Sequence, residues 1–112
     1  MTPRVRSDLL VGSLLAQVQG EGGFGAVLRR GDGERGDVVL IFAERGETKT
    51  ALARQMDATG IYSWARLTAS DSTGSDSMAQ LVARRERFDP DLWIVELDIA
   101  DSERFIADRL ND

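Results

Sequence analysis

Six consecutive apolar residues, Val38 to Ala43, put Val38, Leu40 and Phe42 on one side of an extended chain and Val39, Ile41 and Ala43 on the other. A strand that is apolar on both sides has no face to give to water, so it belongs in the middle of a sheet covered above and below. Leu92 to Leu97 is a second two-sided strand of the same kind. A sheet with both faces covered must be built from 112 residues, which is room for one domain spanning residues 1–112.

The rest of the chain supplies the covering elements. Leu10, Val11, Leu14, Leu15 and Val18 form one helical stripe, with Ser7 as the expected N-cap, Asp8 in the first turn, and Gly20, Gly22 and Gly23 as the stop. Strands are expected at Phe24–Arg30, Thr48–Gln55 and Ile61–Thr68. The second of these has a small-residue face, Ala51 and Ala53, that lets a helix approach. Gly31-Asp32-Gly33-Glu34-Arg35-Gly36 reads as a loop, and so does the low-complexity stretch Ala69–Ser77. Met78–Phe88 reads as a helix with Met78, Leu81, Val82 and Phe88 on its apolar side. Pro90 ends it, since proline disfavours helical geometry at Asp89. Asp101 and Ser102 then cap a short helix holding Phe105, Ile106 and Leu110. The order predicts an α+β fold: a largely antiparallel sheet of about five strands in a meander, two longer helices and a short C-terminal helix.

The chain contains no cysteine and no histidine. That removes disulfides, Cys/His zinc sites, thiol nucleophiles and imidazole bases, leaving carboxylates, arginines, one lysine, a tyrosine and hydroxyls for any chemistry. The net charge of −5 repels polyanions at long range and argues against a general nucleic-acid binder. Thirteen of the basic residues are arginine and one, Lys49, is lysine, a bias that a GC-rich coding sequence explains. No segment reaches the roughly 18 to 20 apolar residues of a membrane span, and no cleavable leader is evident, so a cytoplasmic location without membrane contact is expected.

Several motifs invite a chemical reading. Gly20-Glu21-Gly22-Gly23-Phe24-Gly25-Ala26-Val27 matches a kinase-type glycine-rich string, but it follows a helix rather than a strand and no matching lysine motif comes after it. It reads better as a helix stop running into a strand. Gly60-Ile61-Tyr62 lacks the second half of the nuclease motif it resembles, and Asp71, Thr73, Gly74 and Asp76 lack the terminal glutamate of a calcium loop. Asp89, Asp91, Glu96 and Asp98 could assemble a magnesium site at strand ends, with Glu96 paired to Arg54 or Arg66 if buried. Turn and strand-end roles for these acids are simpler, so no metal and no cofactor are expected. Tyr62, Trp64 and Arg66 share one strand face and resemble a stacking platform for single-stranded nucleic acid, to which Arg84, Arg85 and Arg87 could add phosphate contacts. The same face could equally be a protein-binding surface or the second side of a core.

The block Arg84-Arg85-Glu86-Arg87-Phe88-Asp89-Pro90-Asp91-Leu92-Trp93-Ile94-Val95-Glu96, with Gly22-Gly23-Phe24 and Arg30-Gly31-Asp32, resembles a family of short bacterial proteins catalogued as a domain of unknown function, number 1491. The Asp-Pro-Asp-Leu-Trp run is its most specific element. The resemblance implies a stand-alone domain and transfers no activity, cofactor or catalytic residue. The sequence is therefore read as a non-catalytic protein-interaction or regulatory domain, binding a protein partner or a second copy through Tyr62, Trp64, Arg66, Arg84, Arg85 and Arg87. A single-stranded nucleic-acid or nucleotide binder and a magnesium-dependent phosphoryl-transfer enzyme are the alternatives.

Overall fold

A computed structural model describes residues 6–56, 58–67 and 78–110. The elements run α1 (Ser7–Gly20), β1 (Phe24–Arg29), β2 (Val38–Glu44), β3 (Glu47–Met56), β4 (Tyr62–Arg66), α2 (Met78–Phe88), β5 (Trp93–Asp98) and α3 (Ser102–Arg109). The loop expected at Ala69–Ser77 and the strand end at Thr68 lie outside the described residues.

The five strands form one sheet in the order β1-β5-β2-β3-β4. The two-sided run Val38–Ala43 lies at its centre, as its patterning requires. The sheet is α+β but not a pure antiparallel meander. β2, β3 and β4 do form one, whereas β5 enters between β1 and β2, antiparallel to the first and parallel to the second. The connection through α2 is long enough for such a crossover, which a hairpin turn is not. It carries the chain past β3 and β2 before β5 begins.

Alternation along the strands sorts the core into two layers. Val38, Leu40, Phe42, Leu52, Trp93, Val95 and Leu97 face α1 and α3, meeting Val11, Leu14, Val18, Phe105 and Ile106. Val39, Ala53, Leu92 and Ile94 face α2 and meet Val82. The alanine at position 53 leaves the room that the helix takes up. Phe88, expected on the apolar side of α2, is instead 77% exposed at the helix end.

Two corrections concern helix starts and strand partners. Ser7 is the first residue of α1 and not its N-cap; Arg6 holds the cap position without a side-chain bond. The Ser7 hydroxyl is buried and donates instead to the Gly36 carbonyl at 2.5 Å. Glu96, on the α2 side of β5, is brought to neither Arg54 nor Arg66, because both arginines lie on the α1 side. At the other end of the chain, Asp101 does cap α3, accepting from the Arg104 amide in a left-handed conformation.

Two replacements test this packing. Trp93 is 2% exposed and its indole donates to the Asp32 carbonyl at 2.7 Å. Trp93→Ala should cost about 3 to 5 kcal/mol in urea unfolding; a loss below about 1 kcal/mol would remove Trp93 from the core. A methyl group at Gly36 would run into the backbone of Asp91 and Asp32, while one at Gly12, mid-helix, meets nothing. Gly36→Ala should therefore destabilise, and Gly12→Ala should stabilise by up to about 1 kcal/mol.

Candidate interaction surfaces

The chain between β1 and β2 must step across the foot of β5, because β5 separates two strands that are neighbours in sequence. There it meets the turn entering β5, backbone against backbone. The Asp32 amide donates to the Asp91 carbonyl at 3.0 Å and the Trp93 amide to the Asp37 carbonyl at 2.8 Å. Side chains at Gly31 or Gly36 would collide with Asp91, which is why this loop is glycine-rich.

Two arginines complete the crossing. Arg29 gives its guanidinium to the turn, donating to the carbonyls of Leu92 at 2.6 Å and Pro90 at 3.0 Å, while its Nε faces Glu86 of α2 at 3.2 Å. A β-bulge between Val27 and Arg29 shifts the register so that Arg29 pairs with Ile94, on the α2 side of the sheet. Arg54, 7% exposed, donates to the Ser7 hydroxyl at 3.1 Å, and its guanidinium sits 4.6 Å from the centre of the Tyr62 ring. Patterning of apolar residues signals neither arrangement.

The acidic residues considered for magnesium are spread out. Asp89 accepts from the Asp91 amide at 3.1 Å within its own turn, and the carboxylate of Asp98 accepts from the Arg45 and Gly46 amides at 3.1 and 2.9 Å. Those two amides belong to the β2–β3 hairpin, whose central residues both have positive φ, as a two-residue primed turn requires. Among the described residues no group of three acids is placed to hold a metal ion.

The six residues singled out as a binding face are divided between the two sides of the sheet. Tyr62, Trp64 and Arg66 lie on the α1 and α3 side of β4, and each is engaged there. Tyr62 covers Arg54, and Trp64 packs half-buried against the main core. Arg66 donates to Glu103 of α3 at 3.0 Å and to Thr50 at 3.2 Å. That hydrogen bond holds the Glu103 carboxyl below its ordinary range and Arg66 above its own. Arg84, Arg85 and Arg87 are on α2, across the sheet. Arg84 and Arg85 line a shallow groove of about 320 Å³ with Phe88 and Asp89.

The sequence reading missed the outer edge of β1. Phe24, Val27 and Leu28 are 62%, 42% and 56% exposed, and among the described residues no strand pairs with that edge. The signal available was a strand carrying apolar residues with no lysine or proline to blunt it.

Asp37, at the crossing, yields a pH prediction. Burial raises its pKa and nearby Asp89 adds to the effect, against the opposing pull of Arg54 and Arg85. The folded state thus disfavours the ionised carboxylate relative to the unfolded chain. The stability this group contributes is present below the ordinary aspartate range and lost as pH rises through the raised folded value. Asp37→Asn is expected to raise the melting temperature at neutral pH and to lose that advantage in acid. A variant that melts below the natural protein at neutral pH would contradict the assignment.

Among the described residues, no helix is long and apolar enough to cross a membrane. No curated protein matches the chain. Its solved relatives share the fold. A DUF1491 family protein from Caulobacter crescentus CB15, solved by NMR, is 28% identical with a TM-score of 0.68, covering 89% of this chain and 90% of that one. A crystal structure of a DUF1491 family protein from the same organism is also 28% identical, with a TM-score of 0.69 and coverage of 84% and 87%. A solution structure of an A. tumefaciens protein, 23% identical, matches with a TM-score of 0.70 over 88% and 89% of the two chains. The model of a protein family of unknown function, DUF1491, matches residues 5–107, and the chain belongs to that family.

Proposed function

We propose that this domain is a non-catalytic protein-interaction module and that it docks through the β1 edge. The observation that carries this reading is the exposure of the apolar side chains Phe24, Val27 and Leu28 on a strand whose outer edge pairs with no other strand among the described residues. Burial of such side chains on association is favourable in proportion to their apolar area, and an unpaired backbone edge adds directional hydrogen bonds.

The alternatives have less behind them. Stacking of single-stranded nucleic acid would need Tyr62, Trp64 and the α2 arginines on one surface, and they occupy opposite faces of the sheet. Magnesium chemistry would need Asp89, Asp91 and Glu96 to converge, yet Asp89 and Asp91 sit in the turn ahead of β5 while Glu96 is well along the strand. The Arg84, Arg85 and Arg87 cluster, with exposed Phe88 beside it, is a secondary docking surface on this reading.

Affinity capture from cells that make the protein tests the proposal. The natural domain should retain a protein that the Phe24→Asp, Leu28→Asp double variant loses, with the variant's melting temperature close to the natural value because both positions are exposed. Retention of the same protein by the double variant, or recovery of nucleic acid in its place, would overturn the reading.

A further inference from the structure

We infer that the groove at the C-terminal end of α2 binds an acidic peptide segment of a partner protein, with its carboxylates at the arginines and an apolar side chain on Phe88. This names the partner for the secondary surface of the interaction reading above, and rests on that reading. Around the helix Phe88 falls between Arg84 and Arg85, so the ring has an arginine on each side. The three line the groove with Asp89. Phe88 is 77% exposed there and belongs to neither core layer. The groove is shallow, which suits a side chain presented by a peptide better than a small molecule that needs enclosure.

The charges select the partner. The one acid of α2, Glu86, is committed to Arg29 at 3.2 Å, so the helix offers its own three arginines no unpaired carboxylate. Among the described residues no carboxylate lies within ion-pair distance of Arg85 or Arg87. Arg85 is half-buried, and its Nε is cut off from water without a hydrogen-bond partner. A donor left unmatched in this way is costly, and a charged acceptor arriving at the guanidinium offsets the cost. The acids around it do not serve: Asp37 feels the charge of Arg85 without pairing with it, and Asp89 turns its carboxylate to the Asp91 amide at 3.1 Å. The helix dipole favours arginine in a last turn, but it gives no account of the exposed ring between two of them. A nucleic acid fits less well. The net charge of −5 repels a polyanion at long range, and Tyr62 and Trp64, which could stack bases, lie across the sheet. A short acidic segment meets the local patch alone, within the range over which salt leaves charges unscreened.

Titration of the isotope-labelled full chain with a blocked Glu-Glu-Leu-Glu-Glu peptide, followed by NMR amide shifts, tests the inference. The shifts should concentrate on Arg84, Arg85, Phe88 and Asp89. Phe88→Ala and Arg85→Gln should each weaken binding about fivefold or more. Arg104→Gln, which removes the same charge from an exposed site on α3 across the sheet, should leave it unchanged. Replacing the peptide's leucine with glycine should weaken binding to the natural chain but make no difference to Phe88→Ala. The amide spectrum of each variant shows whether it is folded, and Phe88→Ala alters only an exposed side chain. Absence of shifts at the end of α2 overturns the inference. So does equal weakening by Arg104→Gln, or tighter binding of a single-stranded oligonucleotide at the same residues. If the peptide fails while the natural domain still captures a protein that the Phe24→Asp, Leu28→Asp variant loses, this inference falls and the interaction reading stands. If the peptide fails and nothing is captured through β1, both fall.

Discussion

The insertion of β5 between β1 and β2 is the constraint on which the rest of the structure depends. Strands adjacent in sequence are placed two positions apart in the sheet, so the chain joining them must cross the foot of the strand that divides them. A crossing of this kind brings two backbones together with no room for side chains between them. Gly31 and Gly36 answer the steric demand, and the paired amides and carbonyls of Asp32, Asp37, Asp91 and Trp93 answer the need to satisfy polar groups taken out of water. The start of α1 is tied to the same place through Ser7, Gly36 and Arg54.

Arginine is used at this crossing as a donor to neutral oxygen as much as a partner for carboxylates. Arg29 addresses carbonyls of the Asp89–Leu92 turn, and Arg54 addresses a serine hydroxyl and an aromatic face. A planar guanidinium with several fixed donors suits such sites better than an ammonium does. The abundance of arginine over lysine therefore has structural employment at these positions, whatever its origin in the coding sequence. The same reasoning explains the Asp-Pro-Asp-Leu-Trp run. Its prolyl and leucyl carbonyls, its first carboxylate and its indole are all engaged in closing the crossing.

Much of the architecture could be read from the residues alone. Two-sided apolar strands belong inside a sheet, and Val38–Ala43 lies at its centre; the helical stripe from Leu10 to Val18 faces the core with Val11, Leu14 and Val18 buried. The neighbour relation of β5 could not be read this way, because burial on both faces says that a strand is internal without saying between which others. The helix ahead of β5 was the available clue, since it permits a parallel return. The surroundings of the proposed binding residues were the least legible part. Alternation placed Tyr62, Trp64 and Arg66 together correctly, but whether such a face meets solvent or the protein's own helices depends on where α3 comes to rest, and Glu103 of that helix holds Arg66.

The sheet's central pair of strands, β2 and β5, comes from two halves of the chain separated by the whole β3–β4–α2 passage. During synthesis the β2–β3–β4 meander can close from local turns, yet one flank of β2 stays bare until β5 arrives, and β1, though packed by α1, has no strand beside it in that interval. Slow, non-local pairing of this kind raises the entropic barrier to folding and lengthens the time in which apolar edges are open. A nascent chain paused before Trp93 would present both of those edges to whatever chaperone or neighbouring polypeptide is at hand.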